Sequence, residues 1–268
     1  MPRCASLPQT FQSAPAQPRS DGGLAAFLMR WDGTSWSPRS SGTTTQTLRA
    51  LWGSSPNDVW AVGDSGFATR FNGTAWGSVS GLATSYNWLG VFGTSATSVW
   101  AIGSSGQVAR YNGTNWVSVA SGVTVNLYGI WGSSDSRIWA VGDGATAILW
   151  NGTNWSTVTT ATAPFSYTSV FGTADNDAWL VGFYGTIRRW NGTPPWSDVA
   201  TGARTLLRSI WAQSDTSVWA VGDGGLGQRW DGTSWSAIDL KTSANLYGIS
   251  GTSNQDIWAV GANGTILH

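Results

Sequence analysis

The 268-residue sequence contains no glutamate, one cysteine (Cys4), one histidine (His268) and one lysine (Lys241). A single cysteine and a single histidine exclude a disulfide and a Cys/His metal cage within one chain, so neither a metal nor another cofactor is expected. A Ser-His-Asp device would have to use the last residue, which reads as a frayed chain end. The lack of glutamate removes the commonest carboxylate acid or base and leaves 14 aspartates. These balance thirteen arginines and Lys241, giving zero net charge with no basic cluster. Nucleic acid and anionic membrane surfaces need concentrated positive charge and are excluded as partners. No apolar run approaches the ~20 residues of a membrane span, so no membrane insertion is expected. Residues 1–23 lack the apolar core of a secretory signal and are rich in Pro, Ser, Gln and Ala, which reads as a disordered leader.

Tryptophan, in contrast, is abundant: there are 20. Most recur at a fixed spacing. From Trp31 the chain divides into six units, 31–70, 71–110, 111–149, 150–189, 190–229 and 230–268, each 39 or 40 residues long. Every unit opens on an aromatic residue followed by Asn-Gly or Asp-Gly, as in Trp31-Asp32-Gly33 and Phe71-Asn72-Gly73. Such dipeptides favour type I′ turns and predict a two-residue hairpin in each unit. A second Trp follows (Trp36, Trp76, Trp116, Trp155, Trp196, Trp235), then an apolar strand such as Leu51-Trp52-Gly53, then the strand Asp58–Gly63 (DVWAVG) and its equivalents.

Four short strands recurring every ~40 residues predict the blade of a β-propeller. Naming the strands A (around Trp52), B (around Trp60), C (around Arg70) and D (around Trp76), the fold expected over residues 24–268 is a six-bladed propeller of four-stranded antiparallel blades. Its ring would be closed by pairing the N-terminal D strand, 32–37, with the C-terminal blade. Two segments, 24–30 and 264–268, compete for the closing C strand; Gly264-Thr265-Ile266-Leu267 matches the repeat better. The chain is expected to be a monomer.

With its I-W-G-S-S, D-V-W-A-V-G-D-x-G and R-W-N-G-T-x-W motifs, the sequence resembles the bacterial Trp-rich β-propeller repeat proteins. These lie near the Asp-box (BNR) and Ycf48-like propellers and, more distantly, near kelch and tectonin-type lectin repeats. The resemblance covers residues 24–268 and implies fold more than function, because propellers host lectins, scaffolds and hydrolases alike. It favours an extracellular or cell-surface setting. The hairpin lacks one residue of the Asp-box pattern, which separates this chain from sialidases.

Nineteen of the 20 tryptophans occupy repeat columns and are assigned to packing; Trp88 alone stands outside them and is read as facing a ligand. Units one, three and five carry Asp64, Asp143 and Asp223 in the B-to-C turn, where the others have Ser104, Phe183 and Ala262. Carboxylates on one face can accept sugar hydroxyls, hold a cation or meet a basic partner; alternatively, each caps its own turn. On the same face the A strands begin with Arg49, Leu89, Tyr128, Thr168, Arg208 and Tyr247, and Arg49, Tyr128, Arg208 and Tyr247 form a candidate rim. The expected function is a non-catalytic binding module or scaffold that recognises a protein or glycan on the face of the B–C turns and D–A loops. A lectin with multivalent blade sites is the alternative. A glycoside hydrolase using an Asp pair is the weaker one.

Overall fold

Alternating side chains in a strand point to opposite sheet faces, and in Asp58–Gly63 both sets are apolar, so the strand requires cover on both sides. It receives it: Val59, Trp60, Ala61 and Val62 are all buried. The computed structural model describes residues 12–13, 27–40, 46–160 and 165–268. Five antiparallel sheets have the strand order A-B-C-D, spanning 48–78, 88–118, 127–157, 167–198 and 207–239. A sixth, 246–267, has A, B and C strands. These are the blades of a six-bladed β-propeller, numbered here 1 to 6. The chain contains two compact units, 1–127 and 128–268.

The expected closing pair takes a different form. Trp36–Ser40 pairs with Phe27–Trp31 in its own hairpin, and Phe27–Trp31 pairs with Gln12–Ser13, while Ile266–Leu267 pairs with the B strand of blade 6. A sequence-local hairpin forms with little loop-closure entropy, and it claims the strand that was expected to complete the last blade. Residues 24–26 of the competing segment lie outside the described residues.

The Asn/Asp-Gly turns also differ from expectation. Trp31 pairs with Trp36 and Phe71 with Trp76, leaving four loop residues rather than two. Only the glycine is left-handed, with φ +99° at Gly33 and +95° at Gly73. The Asn or Asp side chain shapes the turn instead, accepting the next two available N–H groups: Thr34 and Ser35 donate to Asp32 Oδ1, both at 2.8 Å. Type I′ geometry appears in the B–C hairpin, where Ser65 and Gly66 have φ +53° and +74° and Phe67 N donates to Asp64 O.

These turns make an acid-stability prediction. Ser234 N–H, followed by the hydroxyl and N–H of Thr233, lowers the Asp231 carboxyl to about 2, and Ser35 N–H lowers Asp32 in the same way. A carboxylate depressed on folding stabilises the protein above its unfolded value and loses that contribution as pH falls through the folded value. Thermal midpoints measured from pH 5 to pH 2 are therefore expected to fall less steeply in the Asp32→Asn/Asp231→Asn variant, because Asn makes the equivalent bonds at Asn72 and Asn112 without titrating.

Two packing rules explain the Trp columns. Three B-strand tryptophans insert between two aromatics of the following blade's C–D hairpin: Trp60 meets Tyr111 and Trp116 at 4.7 and 5.4 Å, Trp139 meets Trp190 and Trp196 at 5.0 and 4.8 Å, and Trp179 meets Trp230 and Trp235 at 5.2 and 5.6 Å. The A-strand tryptophans of odd blades reach a glycine in the next A strand. A Cβ added at Gly93, Gly172 or Gly251 would lie 2.6, 2.7 or 3.0 Å from the ring of Trp52, Trp131 or Trp211. These three contacts set a large ring on a small residue between neighbouring A strands.

Candidate functional site

The B–C turns and A-strand starts emerge at the same end of each blade, and the structure joins the two sets of candidates that the sequence presented separately. Arg49 donates to Asp64 through Nε at 2.8 Å and Nη2 at 2.9 Å, a bidentate pair that raises the guanidinium pKa. Tyr128 Oη donates to Asp143 Oδ2 at 3.0 Å, and Ser166 Oγ donates to Oδ1 at 2.9 Å. Arg208 donates to Asp223 through Nε and through Nη2, the latter at 3.1 Å. Each of the three aspartates therefore clamps its turn to the start of an A strand. Their carboxylates are engaged by these donors. Among the described residues no cluster of three or more His, Cys, Asp or Glu forms a metal site.

Trp88 departs from expectation. It is 2% exposed, belongs to the core beside Trp60 and Trp116, and donates its indole N–H to Ala83 O at 3.2 Å. It occupies the column of Leu48, Leu127, Leu207 and Leu246, all buried, so strand alternation turns it inward. His268 is not frayed either: it stacks on Trp258 at 4.2 Å and lies 3.1 Å from Asp256.

Tyr247 does reach the surface, at 39% exposure, with the Arg208 guanidinium 5.2 Å from its ring. Two further aromatic residues join it there. Phe183 and Tyr184, in the blade 4 turn, are 42% and 64% exposed, and Tyr184 pairs with Phe165 at 4.6 Å. Tyr184 holds φ +56°, at the position of Ser65, Ser105 and Asn263 in other blades. A bulky side chain there costs about 1 kcal/mol or more and marks a place where surroundings or use outweigh strain. The signal in the sequence is Phe-Tyr where other turns have Asp-Ser, Ser-Ser, Asp-Gly or Ala-Asn.

No family model matches the chain, and no curated protein matches it. Solved structures do. Ycf48 from Cyanidioschyzon merolae superposes with a TM-score of 0.72 at 17% identity, covering 96% of this chain and 98% of that one. Ycf48 bound to a D1 peptide gives 0.70 at 19% identity over 91% and 85% of the two chains. Virginiamycin B lyase from Staphylococcus aureus gives 0.81 at 13% identity over 96% and 97%. A propeller that holds a peptide and one that is a lyase are matched by the same chain at these identities, so what it shares with Ycf48 and the lyase is the β-propeller fold.

Proposed function

We propose that the chain is a non-catalytic, protein-binding propeller that uses the end of its blades carrying the B–C turns and D–A loops. The observation that carries this reading is the distribution of exposed aromatics. Among the described residues the large hydrophobics exposed to solvent are Val117, Phe183, Tyr184, Tyr247 and Ile266, and all three aromatics lie on that end. Solvent-facing aromatics rimmed by an Arg–Asp pair resemble a protein interface, where Tyr, Phe and Arg are enriched. Ycf48 bound to a D1 peptide is a propeller of similar fold in that role. The similar fold of a lyase leaves chemistry as the rival reading; the absence of Glu and the single His favour binding.

The test is capture of partners on the immobilised full chain, comparing wild type with Phe183→Ser/Tyr184→Asn. Asn suits the left-handed backbone, as Asn263 shows at φ +57°, so the variant should keep its thermal midpoint while losing most of the captured protein. Equal capture by both would refute the assignment of this face, and competition by a free monosaccharide would replace the protein partner with a glycan.

A further inference from the structure

The C strand of blade 4, Ile187–Trp190, reads IRRW, and consecutive strand residues face opposite sides, so one arginine must enter each packed face. Arg189 is half-buried and well partnered, with Asp177 at 3.0 Å and the Trp179 ring at 4.8 Å. Arg188 is neither. Its side chain is 1% exposed, its Cζ lies 5.7 Å from the buried Tyr167 ring, and its one ion pair runs from Nη2 to Asp198 Oδ1 at 3.1 Å. Nε and Nη1 are buried with no acceptor among the described residues. Other blades place Thr69, Ala109, Ile148 and Gln228 in this column, so packing alone does not call for a guanidinium. A buried charge with unmet donors carries a desolvation cost that a further acceptor would offset.

Arg188 lines a groove of about 290 Å³ with Phe165, Gly185, Asp198 and Thr201. We propose that this groove accepts the Asp or Glu side chain of a bound peptide segment, with Asp198 acting as the internal competitor for Arg188. The proposal rests on the protein-binding reading and gives it a specificity element. Asp198 is 66% exposed on a two-residue edge strand and holds the guanidinium at one point, so it can turn into solvent as another carboxylate takes its place. A carboxylate taking its place can accept from two nitrogens of the fork, the stronger arrangement. One guanidinium without a second basic group among the groove residues suits a single negative charge rather than a phosphate dianion. Phe165, packed at a tilt against Tyr184, gives the groove an apolar lip for the residue next to the acid.

The experiment follows the Arg188 side-chain Nε–H resonance of the full chain while titrating three probes: N-acetyl-Phe-Glu-amide, N-acetyl-Phe-Gln-amide and N-acetyl-Phe with a free terminal carboxylate. The Glu probe should shift Arg188 saturably with a Kd on the order of 1 mM, and the Gln probe should bind about tenfold more weakly. Asp198→Asn removes the competitor at an exposed position and should tighten the Glu probe about three- to tenfold, whereas Arg188→Gln should abolish the preference for Glu over Gln. If Arg188→Gln does not fold, Asp198→Asn decides. Unchanged or weaker Glu binding in Asp198→Asn overturns the proposal, as does a terminal carboxylate that binds as well as the Glu side chain. Loss of partner capture in Phe183→Ser/Tyr184→Asn, together with no response of Arg188 to any probe, would sink the groove assignment and leave the protein-binding reading intact.

Discussion

Trp179→Ala is expected to destabilise the protein by about 4 kcal/mol, read as a lower urea midpoint with little change in slope. Trp179 is completely buried and sits between Trp230 at 5.2 Å and Trp235 at 5.6 Å, the second edge-on, within a cluster that includes Val181, Leu207 and Ile210. Arg189 lies over its ring and is anchored by Asp177, so truncation also removes a cation–π partner from a half-buried guanidinium. The indole N–H of Trp179 finds no acceptor, which makes the contribution one of surface, shape and ring electrostatics rather than hydrogen bonding. Trp179→Phe should accordingly cost much less, about 1 to 2 kcal/mol, since the retained ring leaves a smaller cavity than alanine does and no hydrogen bond is lost. A loss below about 1 kcal/mol for Trp179→Ala would mean that the hairpin of the next blade collapses onto the vacated site, and that B-strand tryptophans do not hold adjacent blades together.

The same residues show why so much of the fold could be read before any coordinates. Trp60, Trp139 and Trp179 share a column because the blade after each presents the same pair of hairpin aromatics, so a column in the sequence is a repeated contact in space. Reading was less secure where two local solutions fit one pattern. Asn-Gly is compatible with both a type I′ pair and a four-residue loop closed by the Asn side chain, and the choice depends on which flanking residues pair. The pairing of Trp36–Ser40 was misplaced for a related reason: repeat matching ranks segments by likeness, whereas a hairpin forms between neighbours.

The candidate site was legible in parts. Arg49, Arg208, Tyr128 and the three B–C aspartates were identified as polar residues at one end of the blades, but not as each other's partners, because the spacing of 15 residues between Arg49 and Asp64 becomes contact only through the A–B hairpin and the turn after it. Departure from a column proved a weak indicator by itself. Trp88 departs from leucine and is core, since a large apolar side chain still satisfies an inward position; Tyr184 departs from serine and is exposed, since its turn has no interior to enter. The more informative departures change chemistry against the demands of the position: a bulky residue at positive φ, or a charge in a buried column, as at Arg188.

Gly222→Ala is expected to be nearly as damaging as loss of a core tryptophan, at about 3 kcal/mol, although it adds one methyl group and Gly222 is in extended backbone with φ −164° that any residue can adopt. The cause is proximity of main chain. A Cβ there would lie 2.0 Å from Leu206 O and 3.0 Å from Leu207 Cα. Leu206 O already accepts from Asp223 N at 3.0 Å, so the carbonyl cannot retreat without releasing the turn that carries Asp223 and, through it, Arg208. The last glycine of other B strands meets the same carbonyl: Gly63, Gly103, Gly182 and Gly261 place a Cβ at 2.0 to 2.4 Å from the oxygen before their own A strands. This close approach explains why the B motif ends in glycine in these five units. The matched control is Gly77→Ala, a D-strand position with no neighbouring atom within 4 Å of the added carbon, where the reduced freedom of the unfolded chain should leave stability unchanged or raised by about 0.5 kcal/mol. Urea titrations of the two variants should therefore separate by more than about 2 kcal/mol; coincident curves would show that the B–C turn shifts freely, and the clamp between turn and A strand would lose its structural basis.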